Sequence, residues 1–344
     1  MNYDVDRKTE NGLHLFHFVP NTNRITNFKN TINLKQISIM IKKMFILCVA
    51  MLWTVTLMAQ QIAVVSGGNT SIYSTLKDAI EAAPAGSVIY LPGGGFPISD
   101  DVKITKKLNI IGIGYWVKGD NVDGYTSILG NLFFNEGSDG SSVMGVYMTG
   151  NIYIGNDGKK VDNVLVRYNW INAVDVNNNA CMGTVVNQNY LRGTSNFHGA
   201  PGEFTNNRAN VVHDLDNGNI EYNILDRIQN CNNTSINGNV LSNYSGNDDC
   251  QVWNNICFWV WGEDCIVTGN WNEIFVNNSG IDPKSDFHFK GDWAQYNGHV
   301  GIYGGSGFSS STLPPVPYIV AKQIPEQTDA NGKLNIKIRV RAGE

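Results

Sequence analysis

Asparagine recurs through the middle of the chain in a fixed local setting: Val-Arg-Tyr-Asn169, Val-Asn-Gln-Asn189, Phe-Thr-Asn-Asn207, Ile-Glu-Tyr-Asn223, Ile-Asn-Gly-Asn239, Val-Trp-Asn-Asn255 and Val-Thr-Gly-Asn270. The steps are 20, 18, 16, 16, 16 and 15 residues. Three positions before each asparagine stands Val166, Val186, Phe204, Ile220, Ile236, Val252 or Val267. Two positions after come Ile171, Leu191, Ala209, Leu225, Leu241 and Cys257, with Asn272 breaking the column. A unit this short cannot bury a core by itself, but stacked coils about 4.8 Å apart share one apolar interior and pair every strand with its neighbours. Period-2 alternation around the first apolar column marks short strands, and its change of parity at the asparagine marks a bend with the amide turned inward. The pattern predicts an all-β chain, a single-stranded right-handed parallel β-helix, with the seven asparagines hydrogen-bonded as an internal amide ladder. An antiparallel sandwich is the alternative, and it calls for hairpin turns instead of a fixed asparagine register.

Composition agrees with a turn-rich solenoid. Only 16% of the 344 residues are charged, and 36 are glycine. The net charge of -5 and the lack of a basic run beyond the N-terminus argue against nucleic acid as a partner.

Residues 40–59 read as a signal peptide: Lys42-Lys43, an apolar stretch from Met44 to Met58, then Ala59 before Gln60. The apolar run is short for a membrane span, so the mature chain is expected to be secreted and to carry no transmembrane segment. Residues 1–39 are expected to lie outside the mature protein. Removing the signal leaves Cys181, Cys231, Cys250, Cys257 and Cys265, an odd number that excludes a fully paired disulfide framework. Cys250 and Cys265 each stand five positions before an asparagine, and they are read as stacked inward core residues or, as the alternative, as a disulfide.

The apolar positions Leu76, Ala79, Ile80 and Ala83 fall on one face of a short helix, with Thr75 and Asp78 as its capping box. A helix there would cap the first coil. The β-helix domain is expected over residues 60–305. A Ser/Pro-rich linker follows at 306–318, and a C-terminal strand extension at 319–344. In that extension Leu334, Ile336, Ile338 and Val340 alternate with Lys333, Asn335, Lys337, Arg339 and Arg341. This strand is expected to dock on the last coils or to pair with another chain.

The run from Thr75 to Gly94, followed by Pro97 to Lys107 and Leu108-Asn-Ile-Ile-Gly-Ile-Gly114, resembles the opening of pectate-lyase-like β-helix proteins (the pectin lyase fold). Asp292 to Gly305 similarly resembles the closing segment of secreted bacterial members of that superfamily. The resemblance implies fold, and it spans lyases, hydrolases, esterases, epimerases and non-enzymatic surface proteins alike.

Two turn columns, seven and six positions before the asparagines, read Asp216, Asn232, Asp248, Glu263 and Asn217, Asn233, Asp249, Asp264. Asp248, Asp249, Glu263 and Asp264 on adjacent coils would repel unless they share a proton or meet a cation. They are the candidate catalytic acids, and Asp249 with Asp264 the candidate calcium site. Local turn preference explains such a column equally well. Asp248-Asp249-Cys250 and Gly262-Glu-Asp-Cys-Ile266 are similar to the paired-aspartate motif of pectin hydrolases, but the chain lacks an Asn-Thr-Asp element. It also has Gly298-His299-Val300 where that family has Gly-His-Gly, and Arg227-Ile-Gln229 in place of Arg-Ile-Lys. The lyases' Trp-Ile-Asp-His block is absent as well. Near the acidic turn, Trp253, Trp259, Trp261 and Trp271 are the candidate ligand-binding aromatics, suited to stacking on sugar rings. Together these features predict an exported protein that binds or processes polysaccharide or a cell-surface glycan, as a lyase or glycoside hydrolase if it is an enzyme. The alternative is a non-catalytic surface or structural solenoid that mediates protein interactions.

Overall fold

The computed structural model describes residues 61–116, 124–258, 265–308, 317–323, 332–333 and 337–341. The signal-peptide reading falls outside them. The chain forms a parallel β-solenoid of about nine turns. Its first sheet orders the strands Asn69–Tyr73, Ile62–Ser66, Ser87–Leu91, Leu108–Gly112, Ser142–Met144, Leu165–Arg167, Thr184–Asn187, Gly202–Thr205, Asn219–Glu221, Ser235–Asn237 and Gln251–Trp253. From Ser87–Leu91 onward all neighbours are parallel. The first two strands pair antiparallel and close the N-terminal end. A second, thirteen-stranded sheet carries the return strand of each coil.

The register follows the sequence columns. Val166, Val186, Phe204, Ile220, Ile236 and Val252 stack in the first sheet, and Ile171, Leu191, Ala209, Leu225, Leu241 and Cys257 in the second. Except for Val252, these residues are buried in one continuous core. The helix Leu76–Ala82 adds Leu76, Ala79 and Ile80 to that core. Thr75 caps it by accepting the Asp78 backbone N–H at 3.1 Å.

Between the two sheets the chain must turn within a single residue. The position before each ladder asparagine does this with a left-handed backbone: Tyr168, Gln188, Asn206, Tyr222, Gly238 and Asn254 have φ between 53° and 66°. For a non-glycine residue that conformation costs about 1 kcal/mol or more. The ladder it permits offsets the cost. From Asn169 to Asn239, the backbone N–H and Nδ2 of each asparagine both donate to the Oδ1 of the next, at 2.8–3.2 Å. Each Nδ2, Asn255 included, also donates to the carbonyl of an apolar residue one coil back, as Asn239 does to Ile220 at 2.8 Å. An unpaired amide in an apolar core costs several kcal/mol, and here both ends of the side chain are satisfied. The ladder starts without asparagine, since Val146 N–H donates to Asn169 Oδ1 at 3.1 Å.

Asn270 does not belong to the ladder. The residue opposite Asn255 is Cys265, ten positions on, because the last return strand, Cys265–Val267, enters the sheet early. Asn270 is exposed and caps the helical turn Trp271–Ile274, its side chain accepting the Asn272 N–H at 2.9 Å. The same slip separates Cys265 from Cys250, which lies before a strand of the first sheet. Cys250 Sγ donates to the Cys231 carbonyl at 2.9 Å, as Thr234 Oγ1 one coil earlier donates to the Leu215 carbonyl at 2.9 Å. Cys250 therefore fills a threonine-like place, and burial pushes the Cys231 thiol beside it up to about 12.

After the last coil the chain runs back along the outside. Residues 271–308 lay Ile274, Phe275, Phe287, Phe289, Val300 and Ile302 over the outward side chains Tyr190, Ile224, Val240 and Ile256 of the second sheet, forming a second core outside the solenoid. The strand Lys337–Arg341 pairs antiparallel with Tyr318–Gln323 as a separate two-stranded sheet, not with the coils.

Candidate functional site

The residue after each ladder position points out of the second sheet. Down the stack these residues are Tyr147, Trp170, Tyr190, Arg208, Ile224, Val240 and Ile256. The returning segment covers this column from Tyr190 onward and leaves Tyr147 and Trp170 half-buried. Around them Trp116 packs edge-on to Trp170 at 5.6 Å, Tyr147 to Trp170 at 5.1 Å and Tyr125 to Tyr147 at 6.1 Å between ring centroids. The Arg192 guanidinium lies over this set, 5.1 Å from the Tyr147 ring and 5.8 Å from Trp170. It is fixed there by donating to Tyr147 Oη at 3.1 Å and to the Met148 carbonyl at 2.6 Å. Lys284, on the returning segment, sets Nζ 5.1 Å from the Trp116 ring.

Beside this strip runs a short external ladder in which Asn172 Nδ2 donates to Asn151 Oδ1 at 2.7 Å and Asn151 N–H to Asn131 Oδ1 at 2.8 Å. Beyond it Phe133 and Tyr153 stack at 5.0 Å, with Lys103 Nζ 3.3 Å from the Phe133 ring centre. Next in that register is Asp175, whose carboxylate lies 3.5 Å from His198 Nε2. Burial raises the Asp175 carboxyl above its ordinary value, against the smaller opposing pull of His198. The face therefore presents two aromatic strips flanking a row of amides, with cationic and acidic groups at the margins.

Under the returning segment Arg208 is almost fully buried. It faces Asp226 at 3.3 Å, donates to the Ala209 carbonyl at 2.6 Å, and lies 5.4 Å from the Trp271 ring and 5.8 Å from Phe287. Trp271, read from the sequence as a ligand platform, is occupied in this packing, stacked on Phe275 at 5.7 Å and edge-on to Phe258 at 4.8 Å. Trp253 is half-buried on the last strand of the first sheet, and its carbonyl accepts from Asn255 Nδ2 at 2.9 Å. Trp259, Trp261, Glu263 and Asp264 lie outside the described residues.

The acidic columns turn out to carry backbone work. Asp216 Oδ1 accepts the Asn232 N–H at 2.8 Å, and Asn232 Oδ1 accepts the Asp248 N–H at 3.1 Å. Asn217, Asn233 and Asp249 all have φ of 50–54°, the left-handed region that favours Asn and Asp. Asp248 and Asp249 are exposed at the last turn of this stack. Among the described residues no group of three or more His, Cys, Asp or Glu could hold a metal ion, and no helix is long and apolar enough to cross a membrane.

The aromatic strip of the second sheet escaped the sequence reading. Its signal is the column one place after the ladder, where Trp170 and Tyr190 precede an arginine and three aliphatics. Fold and site together define a parallel β-solenoid with an aromatic and basic lateral face. Comparison with protein-family models, with curated proteins and with solved structures gives no match.

Proposed function

We propose that the protein is an exported, pectate-lyase-like solenoid that binds polysaccharide along the outer face of its second sheet. The observation that carries this reading is the set Trp116, Tyr147 and Trp170, held edge to face with Arg192 across it. Sugar C–H groups stack on such rings while hydroxyls or carboxylates meet guanidinium and amide donors. Arg192 and Lys284 suit an acidic glycan, and Asn131, Asn151 and Asn172 supply neutral hydrogen-bonding groups beside it. Export rests on the signal-peptide pattern of residues 40–59. Processing of the glycan by Asp248 and Asp249, with Glu263 and Asp264, is the second reading. It is favoured by the exposure of both described carboxylates at the last turn.

Affinity electrophoresis of the full chain through gels containing neutral or acidic polysaccharide, with and without Ca²⁺, tests this proposal. At least one polysaccharide should retard the protein, and Trp170→Ala and Arg192→Ala should each weaken the retardation at least tenfold, the loss of about 1.4 kcal/mol or more of contact. Retardation unchanged in both variants would remove the site. Absence of any retardation would favour the structural solenoid. Release of reducing ends that stops in Asp248→Asn would establish the second reading.

A further inference from the structure

The second sheet carries another outward line beyond the one that the returning segment covers. In register it runs Phe133, Tyr153, Asp175, Asn196, His213 and Gln229. The aromatic pair beside the amide row is thus followed, coil by coil, by titratable groups. The turn after this line adds His198, Asp214 and Asn230 on consecutive coils, tied by the Gly199 N–H donating to the Asp214 carbonyl at 2.8 Å and the Asp214 N–H to the Gln229 carbonyl at 3.1 Å. Two imidazoles and two carboxylates meet at this corner. Asp175 Oδ1 lies 3.5 Å from His198 Nε2, and Asp214 Oδ2 lies 3.0 Å from His213 Nδ1. Asn230 Nδ2 donates to His213 Nε2 at 3.2 Å, which leaves Nδ1 as the protonated nitrogen of the neutral ring, on the side of Asp214.

Turn formation does not require these side chains. His198, Asp214 and Asn230 hold φ of 47°, 51° and 53°, and one coil later Gly246 fills the same place without a side chain. An imidazole kept in the left-handed region beside a carboxylate is the kind of local strain that gathers at functional sites. The four side chains are between 21% and 46% exposed, so a ligand can reach them. Burial raises the Asp175 carboxyl, which favours keeping its proton. Positions 175 and 213 are two strand spacings, about 10 Å, apart, which leaves room for a glycosidic bond and a water between an acid at one and a base beside the other.

We propose that this corner is a hydrolytic centre for the polysaccharide bound along the same face, with Asp175 as the general acid and Asp214 as the general base. It rests on the binding reading above, and it moves the chemistry from Asp248 and Asp249 to residues that neither the hydrolase nor the lyase motifs include. Asp175 gives its proton to the glycosidic oxygen as the bond from that oxygen to the anomeric carbon breaks. Asp214 takes a proton from the water whose oxygen bonds to the anomeric carbon from the opposite side, so the product anomer is inverted. Water then carries the proton from Asp214 back to Asp175. His198 faces the carboxylate left on Asp175, and His213 steadies Asp214.

Reducing-end release by the full chain, with the product anomer read by NMR, tests this on the polysaccharides used in the gels. The wild type should release inverted ends from at least one of them. Asp175→Asn and Asp214→Asn should each lower the rate at least about a hundredfold, the scale of general acid–base catalysis, while retardation in the gel persists. Asp248→Asn should leave the rate unchanged. The rate should also fall as pH rises through the Asp175 carboxyl. His198→Asn should move that fall to higher pH, because His198 pulls the carboxyl down and the register neighbours Tyr153 and Asn196 are uncharged. Should an Asn variant at 175 or 214 fail to fold, the direction of this pH shift decides. Retardation without release would overturn the hydrolytic centre alone, and absence of both would overturn the binding reading with it. Release with a retained anomer, or release lost only in Asp248→Asn, would overturn the assignment to this corner.

Discussion

Asn239 and Asn270 share a sequence setting but not an environment. Asn239 is buried with its amide bonded on both sides, whereas Asn270 is exposed and caps one helical turn. Asn239→Leu takes from the Asn223 N–H its acceptor in the ladder and removes one donor each from the Asn255 Oδ1, which keeps the backbone N–H of residue 239, and from the Ile220 carbonyl, so it should cost about 1–3 kcal/mol, the range for orphaned buried groups. Asn270→Ala should cost about 1 kcal/mol or less, the loss of a cap. Thermal melts of the two variants give both numbers, and equal losses would contradict the register. The interior asparagines were legible in the sequence because burial repeats the same constraint every coil. Asn270 was not, because nothing in Val-Thr-Gly-Asn270 reveals that the strand before it enters the sheet ten residues after Asn255. Asp175 yields a pH prediction. Burial raises its carboxyl in the folded state, so the stability it contributes is complete below its ordinary value near 3.8 and is lost as pH rises through the folded value. Asp175→Asn should therefore melt higher than the wild type at neutral pH, with the difference closing on acidification towards 3.8. A gap constant across that range would place the carboxyl in water.

The returning segment is the element that shapes the site, and its fit depends on small residues. Asn206 Nδ2 donates to the carbonyls of Ile302 and Gly304 at 3.0 and 2.7 Å, and Gly301 N–H donates to the Gly238 carbonyl at 2.7 Å. A Cβ at Gly304 would lie 2.5 Å from Tyr222 Cδ1 and 3.1 Å from the His299 backbone. Gly304→Ala should accordingly cost about 1–3 kcal/mol, the range for overpacking a tight contact, and expose the Gly301 amide to exchange. A variant that melts and exchanges as the wild type does would show that this edge is loose. The Gly-rich run near Gly305 could be seen in the sequence as a closing segment, but the surface it closes on could not. Outward side chains such as Tyr190 and Ile224 are specified by whatever packs over them locally, so they leave no period to read. The partner of the C-terminal strand was hidden for a related reason: Tyr318–Gln323 carries no alternation to set it apart from the linker.

At the scale of the molecule, the solenoid supplies a stiff stack in which any outward column becomes a line of equally spaced side chains. The returning segment covers the line from Tyr190 onward and leaves Tyr147 and Trp170 half-buried beside Arg192. That division makes the early coils the proposed binding face and leaves the acidic turn at the far end as a separate feature. The fold could be read from the spacing of asparagines. The position of the face could not, because it depends on where the chain returns. Amide exchange of the full chain, with and without whichever polysaccharide retards it in the gel, tests the assignment most directly. Bound polysaccharide should slow exchange over residues 125–131, 147–153, 170–175 and 190–196, and leave 248–258 unchanged. Protection confined to 248–258, with the early coils unaffected, would contradict it.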